Sequence, residues 1–154
     1  MGIDLKNWMQ NLPDGSDLLA LNLCGTHDCV TQHIRLPHFF CCQDLTIYEQ
    51  LLLGVRALDI RVRADGKCLT MVHGIFPAYN HSCHRANLMD MGDVLSQCYR
   101  FLDECPGEAV VFQFKNDNGK ENEQCFDNLF YTYIKGKEPY WYLEDQVPLS
   151  LIHI

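Results

Sequence analysis

Leu21-Asn22-Leu23-Cys24-Gly25-Thr26-His27-Asp28 runs an apolar stretch into a glycine, then a hydroxyl, an imidazole and a carboxylate. The segment from Leu18 to Leu23 reads as a buried strand. Gly25 tolerates the backbone angles of a sharp turn and would stop it. Polar groups at the exit of a buried strand are where α/β proteins keep their chemistry. Met once, the arrangement is only a surface histidine beside a helix-capping aspartate. Three later strands end in the same way, and that repetition carries the reading.

Working outward, Val55 to Val62 alternates, with Ala57, Asp59 and Arg61 on one face and Leu58, Ile60 and Val62 on the other. A carboxylate and a guanidinium thus share a side. Cys68 to Val72 is the next strand and ends in His73-Gly74. Asp65-Gly66 between the two is a tight-turn dipeptide, so the residues alone read as a hairpin; a helical crossover does not fit the gap.

Helices are expected over residues 45–53, with Asp44 as N-cap and Gly54 as stop, and over Met89 to Cys105, closed by Pro106-Gly107. Glu108 to Phe114 reads as a strand buried on both faces, leading to Lys115-Asn116-Asp117-Asn118-Gly119. A second amphipathic helix covers Glu123 to Ile134, and Tyr140 to Leu143 is aromatic. Asn7 to Pro13 forms a short capping helix.

The order is strand, helix, strand, strand, helix, strand, helix, and the strands hand His27-Asp28, Arg61, His73 and Lys115 to their far ends. Several strands feeding polar groups to one rim is the logic of a (β/α)8 barrel of the TIM type, which needs about 250 residues. With 154 residues the expected α/β fold is an incomplete barrel, roughly its first half.

A net charge of −8 excludes the Lys/Arg-driven binding that nucleic acid requires, and simple electrostatic adhesion to anionic lipid. No apolar run is long enough to span a membrane. The opening Met1-Gly2-Ile3-Asp4-Leu5-Lys6 has neither a signal-peptide layout nor a myristoylation pattern. Localisation is left unassigned, with secretion or peripheral attachment expected if more chain precedes it. The nine cysteines form no CxxC pair, and His81-Ser82-Cys83-His84 lacks a second ligand pair at zinc spacing. Reduced, mostly buried thiols are expected.

Two histidines and an arginine suit a phosphodiester. One imidazole takes a proton from the nucleophile, the other gives one to the leaving oxygen, and the guanidinium neutralises charge on the phosphoryl oxygens. Trp8-Met9-Gln10 with Pro13-Asp14, then Gly25-Thr26-His27-Asp28, Gly54-Val55-Arg56-Ala57-Leu58-Asp59-Ile60-Arg61, His73-Gly74, Phe101-Leu102 and Pro106-Gly107-Glu108 closely resemble the catalytic X region of phosphatidylinositol-specific phospholipase C. The resemblance covers about residues 7 to 148.

It implies a phosphoric diester lyase that cleaves phosphatidylinositol, or its glycosylated anchors, to diacylglycerol and inositol 1,2-cyclic phosphate. It assigns His27 as general base, His73 as general acid, Asp28 as the carboxylate orienting the acid, and Arg61 as the phosphate-stabilising residue. Lys115 falls at an inositol-pocket lysine, and Asp59 joins it as substrate-binding. Arg61 stands where calcium-dependent members keep an acidic ligand, so no metal or other cofactor is expected. The partner is a phosphatidylinositol-containing membrane surface met peripherally, by an enzyme monomeric when complete. The aromatic loop Phe76-Pro77-Tyr79 is expected to touch the bilayer interface.

The chain departs from the family at Cys24 and Cys29, and its late base-orienting aspartate has no counterpart here. The family treats the strands bearing Arg61 and His73 as parallel, and that is taken over the hairpin. Residues 1–148 are expected to be the N-terminal half of the barrel domain. Leu149-Ser150-Leu151-Ile152-His153-Ile154 is expected to be a translated sequencing-adaptor tail, and the 154-residue piece to be inactive alone. Two other classes of function remain: a catalytically inactive lipid-headgroup binding module of this fold, and a cysteine/histidine metal-binding protein.

Overall fold

The computed structural model describes residues 2, 4–64, 67–81, 87–117 and 123–142. Its elements are β1 (Gly25–Thr26), α1 (Pro37–Phe40), α2 (Ile47–Leu52), β2 (Ala57–Ala64), β3 (Leu69–His73), β4 (Phe76–Pro77), α3 (Met91–Glu104), β5 (Val111–Asn116) and α4 (Glu123–Ile134). The fold is mixed α/β, organised around β2.

β2 pairs in parallel with β1 through Gly25–Ala57 and Thr26–Leu58, and in parallel with β5 from Ala57–Val111 to Val62–Asn116. It pairs antiparallel with β3 through Val62–Met71, Arg63–Thr70 and Ala64–Leu69. A strand has only two edges. Since β5 occupies one along its length, β1 and β3 share the other, entering from opposite ends. Both registers run on toward the rungs of Asp59 and Ile60, so the residues after Thr26 and the end of β3 converge there.

The alternation read for β2 holds: Leu58, Ile60, Val62 and Ala64 are buried, while Ala57, Asp59, Arg61 and Arg63 are half-buried. The buried side packs with Ile47 and Leu51 of α2 and Val94, Leu95, Cys98 and Phe101 of α3. Each fully buried aliphatic or aromatic side chain there contributes roughly 1.5–3 kcal/mol.

Several expectations are corrected. The run 18–23 is not a buried strand. Leu18–Ala20 is a 3-10 turn closed by Ala20 N–H to Asp17 O (3.0 Å), and Asn22 and Cys24 are exposed. Ladder pairing begins only at Gly25, with Cys24 O accepting from the Arg56 and Ala57 N–H groups at 2.9 and 3.1 Å. Gly25 is needed for that approach rather than for a left-handed turn: a Cβ would meet Ala57 Cβ at 3.2 Å and Ala57 O at 3.3 Å. The left-handed residue is Asp28, at φ 44°.

α2 is capped by Thr46, not Asp44. Thr46 and Glu49 form a reciprocal capping box, which satisfies two orphan N–H groups where Asp44 would satisfy one. The strands bearing Arg61 and His73 are antiparallel, as the short connection demands, and not parallel as the family pattern implied. The turn dipeptide Asp65-Gly66 lies outside the described residues. β5 is not buried on both faces: Val111, Gln113 and Lys115 are exposed and Phe112, Phe114 and Asn116 half-buried, with β2 its only ladder partner among the described residues. The helix predicted over residues 7–13 is a pair of 3-10 turns, Leu5–Asn7 and Met9–Asn11. Residues 82–84 of the His/Cys cluster and the terminal hexapeptide lie outside the described residues.

Candidate active site

The site occupies the stretch of β2 edge left between β1 and β3. Leaving β1, the chain takes Asp28 into the left-handed region, which drives its carboxylate inward; the side chain is 0% exposed. The Asp28 N–H reaches Asp59 Oδ2 (3.3 Å), and the Cys29 N–H donates to Asp59 O (3.3 Å). Gln50, buried on α2, fastens the turn from behind. Its Nε2 donates to Cys29 O (2.7 Å) and Leu45 O (2.8 Å), and its Oε1 accepts from Thr26 Oγ1 (2.7 Å).

The side chains named from sequence come together. His27 Nε2 lies 3.2 Å from Asp28 Oδ2, and His73 Nε2 lies 3.5 Å from the same oxygen. Arg61 Nε stands 3.1 Å from Asp28 Oδ1 and 3.3 Å from Asp59 Oδ2. Asp59 Oδ2 is 2.8 Å from His27 Nδ1, so Asp59 sits against the imidazole of His27. His73 Nδ1 lies 3.0 Å from Phe40 O. Lys115 pairs across the sheet with Arg61 but is mostly exposed, its Nζ 2.8 Å from Asp117 Oδ1.

Burial pushes the Asp28 carboxyl above its ordinary range, against the downward pull of His73, Arg61 and His27. Neither Asp28 oxygen has a hydrogen bond of good geometry among the described residues, although both lie within ion-pair distance of cationic or imidazole nitrogens. His27, Asp28 and Cys42 each present a ligand atom within 4.8 Å of the others, a spacing that could hold a metal ion.

Three residues of the site had no sequence signature. Gln50 faces the core from a helix, where a glutamine looks like a misplaced surface residue. Asp117 is buried and lies 3.7 Å from Arg61 Nη1; only its two-residue spacing from Lys115 hinted at a shared face. Cys42 reaches the site across a loop: its N–H donates to Thr31 Oγ1 (2.8 Å), and its Sγ lies 4.0 Å from His73 Nδ1. Burial and the Asp28 charge push its thiol up.

In the loop expected at the bilayer, the rings are half-buried. Phe76 is half-buried on Phe40 (ring centroids 4.3 Å), and Tyr79 lies under Arg35 (5.9 Å). The exposed apolar groups beside the site are Phe39 (79%), Ile75 (66%) and Leu36 (56%).

No family model matches the chain. It is 27% identical over 140 residues to a 1-phosphatidylinositol phosphodiesterase of Staphylococcus aureus, a match covering 88% of this chain and 42% of that protein. It is 26% identical over 153 residues to the protein of the same name from Listeria monocytogenes, covering 96% of this chain and 44% of that one. The solved phosphatidylinositol-specific phospholipase C of Listeria monocytogenes superposes with a TM-score of 0.72 at 26% identity, over 91% of this chain and 48% of that one. The curated homologues are thus enzymes of the phospholipase C type, and the chain spans less than half the length of those it matches.

Proposed function

We propose that this chain carries the acid–base centre of a phosphoric diester lyase acting on phosphatidylinositol, on part of a (β/α)8 barrel. The observation that carries the reading is the buried Asp28 carboxylate flanked by both imidazole Nε2 atoms and by Arg61. His27 takes the proton of the inositol 2-hydroxyl, and Asp59 holds its ring through Nδ1. The freed oxygen attacks the adjacent phosphorus. The bond to the diacylglycerol oxygen breaks, and His73, held between Asp28 and Phe40 O, supplies the proton that oxygen takes. Nucleophile and phosphate belong to one molecule, so proximity is built into the substrate. Arg61 faces the growing phosphoryl charge, and Lys115 offers a second cation on the same rung.

The test uses the protein at its full natural length on phosphatidylinositol vesicles. Inositol 1,2-cyclic phosphate and diacylglycerol should appear, and a calcium chelator should leave the rate unchanged. Arg61→Asp should lower the rate sharply, because three carboxylates, Asp28, Asp59 and Asp117, would then lie without their shared cation. Vesicle binding without product release would reduce the protein to a headgroup-binding module. A rate abolished by the chelator would overturn the role given to Arg61.

The rim residues Phe39 and Ile75 should meet the lipid surface, where aromatic groups are favoured. Phe39→Ser with Ile75→Ser is expected to weaken vesicle sedimentation by about tenfold, about 1.4 kcal/mol, while leaving turnover of a soluble phosphodiester analogue intact. Equal loss in both assays would show that these side chains serve packing.

A further inference from the structure

At the centre of the site the buried Asp28 carboxylate has no hydrogen bond of good geometry among the described residues. His27 Nδ1 lies 2.8 Å from Asp59 Oδ2 and 3.4 Å from Arg61 Nη2, while His73 Nδ1 lies 3.0 Å from Phe40 O, an acceptor, so His73 carries its ring proton on Nδ1 in the neutral tautomer. Both Nε2 atoms lie near Asp28 Oδ2, at 3.2 and 3.5 Å. Asp28 Oδ1 lies 3.1 Å from Arg61 Nε, an ion-pair contact. A fully buried carboxylate with no hydrogen bond of good geometry among the described residues, set beside two imidazole nitrogens, favours a cation. During catalysis a proton serves. Cys42 adds a soft donor to the same space, its Sγ within 4.8 Å of the His27 and Asp28 ligand atoms.

The geometry points to a zinc site made of His27 Nε2, Asp28 Oδ2 and Cys42 Sγ, whose occupation shuts the acid–base centre. The donor set is one imidazole, one carboxylate and one thiolate, with room for a fourth ligand from water or from His73. A thiolate favours zinc over calcium or magnesium, and a small contraction of the cluster reaches Zn–S of about 2.3 Å and Zn–N of about 2.0 Å. Asp59 supplies the outer contact that ligating histidines usually have, a carboxylate on the other ring nitrogen. On binding, Zn²⁺ displaces the Cys42 thiol proton to solvent and takes the His27 lone pair. Inhibition of turnover rests on the function proposed above; zinc binding itself does not.

The test measures binding directly. The protein at natural length, with thiols reduced, competes for zinc with a chromophoric chelator, and cobalt is added separately to look for a sulfur-to-metal charge-transfer band in the near ultraviolet. One zinc per chain and a cobalt–thiolate band are expected. Outer-shell changes alone cost about 10–100-fold in affinity, so Asp59→Asn should weaken zinc by that much and Cys42→Ala by about 100-fold or more, with loss of the band. Cys24→Ser, at an exposed thiol that is not one of the three ligands, should change neither. Failure to draw zinc from the chelator, or zinc binding unchanged in Cys42→Ala, overturns the site. Cys42-dependent zinc binding in a protein that releases no cyclic phosphate would keep the site and remove the function.

Discussion

His27→Ala and His73→Ala are each expected to lower the rate of cyclic phosphate formation by about 10²–10⁴-fold, the usual worth of a positioned acid or base. The two should fail differently. Without His27, the 2-hydroxyl keeps its proton. Without His73, the leaving alkoxide has no donor, so a substrate with a more acidic leaving group should rescue His73→Ala far more than His27→Ala. His33→Ala is the internal control. It is a half-buried histidine in a 3-10 turn whose carbonyl accepts from Tyr79 N–H at 2.8 Å. Comparable losses at all three positions would remove the assignment, and rescue of both variants by the same substrate would remove the division of labour. Neither imidazole is deeply buried, so the variants should retain their fold, which unchanged denaturation midpoints would establish.

What the sequence reveals here depends on how local the cause is. The alternation of β2 is a property of consecutive residues, and it placed Asp59 and Arg61 on one side. The His73-Gly74 end of β3 and the helix α3 were legible for the same reason: each is bounded by residues that act on their own backbone. The short link between β2 and β3 also pointed to a hairpin, and the parallel alternative, taken from the family, lost to chain length. The failures are tertiary. The run 18–23 has strand composition, but composition cannot say that pairing with β2 starts only at Gly25. Nothing local shows that Cys42 swings under Thr31 toward His73, or that Gln50 turns inward to hold Cys29 O. The site was therefore legible as a list of strand-end residues. Its thiol, its buttress and the approach of Asp59 to His27 arise only when distant segments meet.

The largest stability effect is expected at Arg56, beside rather than within the site. Its guanidinium is 0% exposed, and its Nε and Nη2 donate to Glu108 Oε2 at 2.8 and 2.6 Å. Nη1 donates to Leu51 O and Val55 O, both at 2.7 Å, and Nη2 also reaches Lys6 O at 2.9 Å. Glu108 Oε1 accepts from the Met9 and Gln10 N–H groups at 2.9 and 3.1 Å. One buried pair thus ties the amino-terminal turns, the end of α2 and the approach to β5 to the residue that enters β2. Forming such a pair contributes little net free energy, because both charges lose water. Removing one partner leaves the other buried alone and costs about 3–5 kcal/mol. Arg56→Leu should therefore consume a large share of the roughly 5–15 kcal/mol that a domain has. Glu108→Leu alone should cost a similar amount, since the guanidinium is then stranded. The double variant should lose less than the sum of the two, because no charge is left unpaired, but it will not return to the parent, because Met9 and Gln10 N–H lose their acceptor. Urea denaturation of all four proteins decides this. Additive losses would mean that the two residues act through separate packing, and a cost below about 1 kcal/mol for Arg56→Leu would mean that water reaches the pair.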